Sequence, residues 1–272
     1  MKIPVLMYHA LVEKRTSHLH TVHITIEMFR QQMEWLAENG YNAITLDDML
    51  AGFETKKKQG KYCVITFDDG YHSLYRYAMP LVKQYGFTAT LYLTTGATGQ
   101  PDFRNLLSLN PKTMPVNDKP LTWDEIKEMA GNGWHIQSHS ISHADNSLLA
   151  PEQFNYEITE SKKIIEQQLK QPVLHYAFPF GKYNAASLKL LNAAGYKTAS
   201  TVHAGLCSSK NDLYRLPRLE INHADSLSSF AKKIETGFVS SKEKIRSSAR
   251  NIIFSNPAIK DISKKIFKKN IN

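Results

Sequence analysis

The chain has 272 residues, 42% of them hydrophobic and 22% charged, enough apolar material for a buried core without disulfide staples. Its net charge of +9 is uneven: residues 241–272 hold nine Lys/Arg against Glu243 and Asp261, a net of +7, so the other 240 residues carry about +2. A nearly neutral main body gives no electrostatic reason to expect DNA or RNA as a partner. The two cysteines, Cys63 and Cys207, are too few for a disulfide framework, and Cys63 reads as a small buried hydrophobe.

Apolar runs alternate with helical patterns along the chain. Residues 3–8 (IPVLMY) read as a strand. The stretch 26–38 places Met28, Met33, Leu36 and Ala37 near one helical face, with Thr25 as N-cap and Gly40 as the stop. A second strand covers 41–46, after which Asp47 can cap a short helix. Residues 62–67 (YCVITF), β-branched and aromatic, make the strongest strand signal. A helix near 74–85 and a strand at 89–95 follow. The segment from Gly96 to Pro120 has little periodicity and is long for a connection, which suggests a functional loop over a site. A helix from Asp124 to Gly131–Gly133, a strand at 134–140 and a helix at 151–170 come next. Strands at 173–178 and 196–202 and helices at 184–194 and 226–237 complete the pattern.

This alternation argues for a parallel sheet with outer helices, open or closed into a barrel. The expected organisation is one domain over 1–240 and a basic tail over 241–272. In that tail Ile252, Ile259, Ile262 and Ile266 recur at helical spacing among lysines. Such a basic amphipathic segment suits an anionic membrane surface, or else folds back with a solvated face. The N-terminus carries no export-signal pattern and no run reaches the length of a membrane span, so the expected location is cytoplasmic, with peripheral contact at the inner face.

Two short motifs carry chemistry. Thr66-Phe67-Asp68-Asp69-Gly70 ends the strongest strand, where parallel α/β folds place functional groups. Adjacent carboxylates repel unless a cation or hydrogen bonds stabilise them, although Asp-Gly also serves as plain turn chemistry. His139-Ser-Ile-Ser-His143 ends another strand. With eleven histidines in the chain, such a pair also arises by chance. Together Asp69, His139 and His143 offer three ligands with open positions for water and substrate, the pattern of a catalytic metal.

TFDDG followed about seventy residues later by HSISH resembles the polysaccharide deacetylase family (NodB homology, carbohydrate esterase 4). The opening PVLMYH, LTWDEIKEMAGNGWHIQSHSISH, YAFPFGKYN and LPRL follow the order of its landmarks across about residues 1–235. In particular the chain resembles the branch holding the biofilm poly-N-acetylglucosamine deacetylases. The resemblance implies a distorted (β/α) barrel of about seven parallel strands with a divalent metal at its C-terminal mouth. Carried over, Asp68 is the general base, Asp69, His139 and His143 hold the metal, and the backbone N–H of Phe180 supports the oxyanion.

Sequence does not choose the ion: Zn²⁺ is the first expectation, with Co²⁺, Ni²⁺ and Fe²⁺ as alternatives. Where the family often has an Arg that orients the base, this chain has Ala177, and Arg218 in LPRL is the candidate replacement. His223 is the nearest match for the general acid, with His203 as rival, and either also reads as an ordinary exposed histidine. His9, after the first strand, reads equally as lining the site or as capping that strand's end. Trp123 and Trp134 read as packing residues. The expected activity is N-deacetylation of an N-acetylhexosamine, in a lipopolysaccharide or similar lipid-linked precursor. Alternatives are deacetylation of poly-N-acetylglucosamine or another polysaccharide, and a carbohydrate-binding pseudoenzyme.

Overall fold

The computed structural model describes residues 1–55, 60–106, 108–109, 111–115, 117–240 and Ile245. Apart from Ile245, the expected basic tail lies outside the described residues. Strand β1 (Val5–Tyr8) leads through two short strands, β2 (Leu11–Val12) and β3 (Ile24–Thr25), to helix α1 (Ile26–Glu38). The Thr25 hydroxyl accepts the Met28 N–H, the expected cap, and Gly40 follows the helix at φ +72°. β4 (Tyr41–Ala43) and α2 (Leu46–Thr55) come next. Here the expected cap is corrected. Thr45, not Asp47, receives the first-turn N–H, from Asp48, because a hydroxyl one residue before the helix reaches that donor.

β5 (Lys61–Asp69) is the longest strand, buried on both faces from Cys63 onward, as expected for a central parallel strand. The helix expected over 74–85 splits into a π turn (Leu74–Ala78) and α3 (Met79–Gln84). Met79 N–H reaches back to the Leu74 carbonyl, and Pro80 beside it has no N–H to continue an α-helical ladder. Then follow β6 (Thr90–Leu93), α4 (Trp123–Gly131), β7 (His135–Ser138), α5 (Pro151–Leu169), β8 (His175–Ala177), α6 (Ala185–Ala193), β9 (Thr198–Ser200), β10 (Leu219–Glu220) and α7 (Leu227–Thr236).

Seven parallel strands run in the order β10-β1-β5-β6-β7-β8-β9, and β4 pairs with the opening residues of β5. The segment leading into β10 closes the sheet. Leu216 bridges Ser200 of β9, whereas Leu219 pairs with Leu6 of β1. Strand alternation then sorts the core. Val5, Val64, Tyr92 and Ala177 pack with Leu46 and Met49 of α2 in a smaller cluster. Their neighbours Leu6, Ile65, Leu91 and Tyr176 belong to the larger core shared with the helices. Trp134 is buried there and stacks on Phe67 at 5.1 Å, while Trp123 packs against the same core. Cys63 is buried, as expected, and so is Cys207; both are free. Among the described residues no helix is long and apolar enough to cross a membrane.

Candidate metal centre

The ends of the central strands share a rung. Asp69 pairs with Leu93, Leu93 with Ser138, and Ser138 with Tyr176. The residues just past these pairs therefore converge at the C-terminal rim of the sheet. Asp68 follows the parity of Val64 and Thr66 and faces the interior. Asp69, one residue on, should point the opposite way. It turns back because its backbone enters the left-handed region, at φ +75°. Ser140 (φ +70°), His143 (φ +55°) and Phe180 (φ +57°) do the same. Among the described residues, four of the five non-glycine residues with positive φ thus surround one point, and each such conformation costs on the order of 1–3 kcal/mol.

One ligand atom from each of Asp69, His139 and His143 lies within 4.8 Å of the others. His139 Nε2 stands 3.5 Å and His143 Nε2 3.3 Å from Asp69 Oδ1, and all three residues are buried. Asp69 Oδ1 has no hydrogen-bond partner among the described residues, a costly state for a buried carboxylate oxygen. His139 Nδ1 lies 2.8 Å from the Ala177 carbonyl. A carbonyl only accepts, so Nδ1 carries the proton and the Nε2 lone pair faces Asp69. Burial lowers the pKa of both His139 and His143 to about 4, keeping the rings neutral as ligands must be. The donor set, its free lone pairs and its orphaned oxygen fit a divalent cation.

Asp68 sits beside this trio, 3.9 Å from His139 Nε2. Arg218 holds it with two parallel bonds, Nη1 to Oδ1 and Nη2 to Oδ2, each 2.7 Å. Burial disfavours the Asp68 anion, but the Arg218 charge and these bonds outweigh it and hold the carboxyl well below the usual range. Arg218 is itself anchored by the Thr201 carbonyl and Thr66 Oγ1.

The trio and Asp68 open into a cavity of about 500 Å³. Its walls include Phe180, His9, Tyr71 and, from the expected covering loop, Ser108 and Met114. Residues 55–199 match the polysaccharide deacetylase family. YxkH of Bacillus subtilis, a polysaccharide deacetylase by name, is 31% identical over 236 residues, 86% of this chain and 77% of YxkH. The chain belongs to the polysaccharide deacetylases. The poly-β-1,6-N-acetyl-D-glucosamine N-deacetylase of Staphylococcus aureus is 26% identical over 212 residues, 73% of this deacetylase and 68% of that one. Among solved structures, the deacetylase PplD of Streptococcus pyogenes, in complex with acetate, superposes with a TM-score of 0.76. It is 27% identical, and the match covers 86% of this chain and 98% of PplD.

Of the residues singled out in sequence, the fold of this deacetylase brings together Asp68, Asp69, His139, His143, Arg218 and Phe180. The Phe180 ring meets His143 edge-on at 4.7 Å and is 42% exposed at the mouth. His223 is not brought in. It is exposed, outside the cavity wall, with its backbone N–H on the Thr21 carbonyl, because the chain has already left the rim after β10. His203 is buried beside Tyr183, also outside the wall. His9, directly after β1, does line the cavity. Sequence reasoning missed His20, His23, Tyr71 and Ser108. The closely spaced His20 and His23, and the expected covering loop that contains Ser108, were the signals for this part of the wall.

Proposed function

We propose that this chain is a metal-dependent N-deacetylase that removes the acetyl group from an N-acetylhexosamine residue of a glycan. The observation that carries this reading is the orphaned Asp69 Oδ1 between two neutral imidazoles, with the Arg218-held Asp68 carboxylate alongside. A divalent ion held by Asp69, His139 and His143 supplies Lewis acidity toward an acyl oxygen and lowers the pKa of water.

The chain's own residues provide the remaining parts. Asp68 accepts the proton of the attacking water. Its low pKa makes it a modest base, but ionised at every working pH, and Arg218 fixes its direction. His9 lines the same cavity with a buried Nδ1 that has no partner among the described residues, and it gives a proton to the departing amine. The sum is amide plus water to acetate plus free amine, and acetate bound in the similar PplD supports an acetyl product. The Phe180 backbone, aimed at the mouth by its positive φ, is the candidate oxyanion donor. Asp68→Asn should abolish release of acetate from N-acetylglucosamine oligomers, in protein that circular dichroism shows to be folded although it melts lower because the buried Arg218 charge loses its partner. Full activity in that variant sinks the assignment of Asp68 as the base, and a wild type that releases no acetate leaves the carbohydrate-binding alternative standing.

For the acceptor, the basic residues of 241–272 favour a lipid-linked envelope precursor at the inner face of a membrane. The name of the Staphylococcus aureus relative favours poly-N-acetylglucosamine. Mass spectrometry of lipid-linked glycans from cells with wild-type protein or Asp68→Asn separates the two. An added acetyl group on the precursor in the mutant alone supports the lipid-linked acceptor, and identical profiles exclude it. Cosedimentation with anionic vesicles, with and without residues after Ser240, tests the membrane contact.

A further inference from the structure

The two histidines of the metal centre are held in different ways. His139 leans on the sheet through the Ala177 carbonyl at the end of β8. His143 has no such strand partner. Its Nδ1 lies 3.1 Å from Ser108 Oγ, in the covering loop between β6 and α4. For the His143 Nε2 lone pair to face Asp69, Nδ1 must carry the proton, which the Ser108 hydroxyl is placed to accept alongside the backbone of His143 itself. The same loop supplies Leu109 and Met114 to the cavity wall. Its Thr113 carbonyl accepts the His20 N–H at 2.9 Å. That bond joins it to a second wall segment, residues 15–23, which Arg15 clamps through the carbonyls of Leu19, His20 and His23.

We propose that Ser108 is a positioning residue for His143, and that through it metal binding and the seating of the covering loop favour one another. The inference rests on the metal centre proposed above. An ion on Nε2 fixes the His143 tautomer and ring direction, which presents the loop with a permanent donor. A seated Ser108 in turn holds the ring ready for the ion. Outer partners of ligating imidazoles commonly change metal affinity by roughly 10–100-fold. Coupling of two sites is reciprocal, so the ion favours the seated loop by the same factor by which the seated loop tightens the ion.

The test uses the full chain, stripped of metal and titrated with zinc against a chromophoric chelator. In parallel, trypsin cleavage after Arg104, whose side chain is 83% exposed, is followed by mass spectrometry with and without zinc. Wild type should bind zinc and be cleaved more slowly when loaded. Ser108→Ala should bind zinc at least about tenfold more weakly. It should also lose the zinc-dependent protection of Arg104 and change the visible spectrum of the cobalt-substituted protein. Ser108→Thr, which keeps the hydroxyl, should restore all three. Melting of the metal-free proteins should be the same throughout. A wild type that takes up no zinc overturns the metal centre itself. Zinc uptake by wild type with Ser108→Ala indistinguishable from it, in affinity and in protection, overturns the role of Ser108 alone.

Discussion

Arg218 and Asp68 meet through two parallel 2.7 Å hydrogen bonds, with the arginine side chain wholly out of contact with solvent. They come from opposite halves of the chain, 150 residues apart, and join only because the segment entering β10 closes the sheet. Removing one partner of such a pair leaves an uncompensated buried charge, which typically costs about 3–5 kcal/mol. Arg218→Ala should therefore lower the melting temperature by roughly 6–20 °C, taking about 2–4 °C per kcal/mol for a domain of this size. It should also reduce kcat by about a hundredfold or more through the misdirected base. Arg218→Lys keeps the charge but not the fork, and should fall between. Thermal melts and acetate-release kinetics check both. A stable, fully active Arg218→Ala protein contradicts the account.

Chelation offers a second test. Treatment with a strong chelator should abolish acetate release, and zinc or cobalt should restore it. The metal-free protein should also melt lower, because an ion bound only by the folded state stabilises it by about 2.7 kcal/mol at a hundredfold excess over its Kd. Asp69→Ala should melt at the same temperature with and without added zinc. A zinc-dependent rise in that variant would place the ion elsewhere.

His9 and His223 make opposite predictions. His9 faces the cavity beside Asp69, whereas His223 is exposed beyond the wall. His9→Ala should reduce kcat by about 10²–10⁴-fold, the usual contribution of a positioned acid or base. His223→Ala should stay within about twofold, since surface substitutions away from such features are close to neutral. Acetate-release rates for the two variants decide between them, and the reverse order returns the acid to His223.

Much of this site was legible in the chain because its motifs are local. TFDDG and HSISH each lie within five residues, at the ends of strands that hydrophobic patterning marks clearly. Arg218 was legible only as a replacement for the arginine absent at Ala177, since nothing in LPRL says that its segment closes the sheet. The inward turn of Asp69 was hidden as well. Strand alternation sends adjacent carboxylates to opposite sides, and a positive φ at an aspartate leaves no mark in sequence. His223 misled because position after a strand is not exposure to the site: three residues past β10 the chain is already at the surface. Ser108 and His23 came from loops without periodicity, where only tertiary contacts say which side chains turn inward. β2, β3 and β10 are two residues each, below the length at which alternation can be read.

His23 gives a prediction about stability rather than catalysis. It is 3% exposed, packs edge-on against Tyr71 at 5.4 Å, and has no partner on Nδ1 among the described residues. Burial lowers its pKa to about 3, with the nearby His9, His20 and Arg15 charges adding to the effect. An unfolded chain titrates this group near pH 6.5. Between pH 6.5 and 3 the unfolded state therefore binds more protons, so stability falls as pH falls through that window and is unaffected above it. The limiting slope from one such group is about 1.4 kcal/mol per pH unit. His23→Phe keeps an aromatic ring against Tyr71 and removes the titration. Urea unfolding of the metal-free proteins at pH 7.5 and pH 5 should then show a smaller loss for the variant than for wild type. His139 and His143 contribute equally to both proteins and cancel from the difference. Equal losses in the two proteins would mean that His23 escapes protonation without destabilising the fold, against its burial and its unpartnered nitrogen.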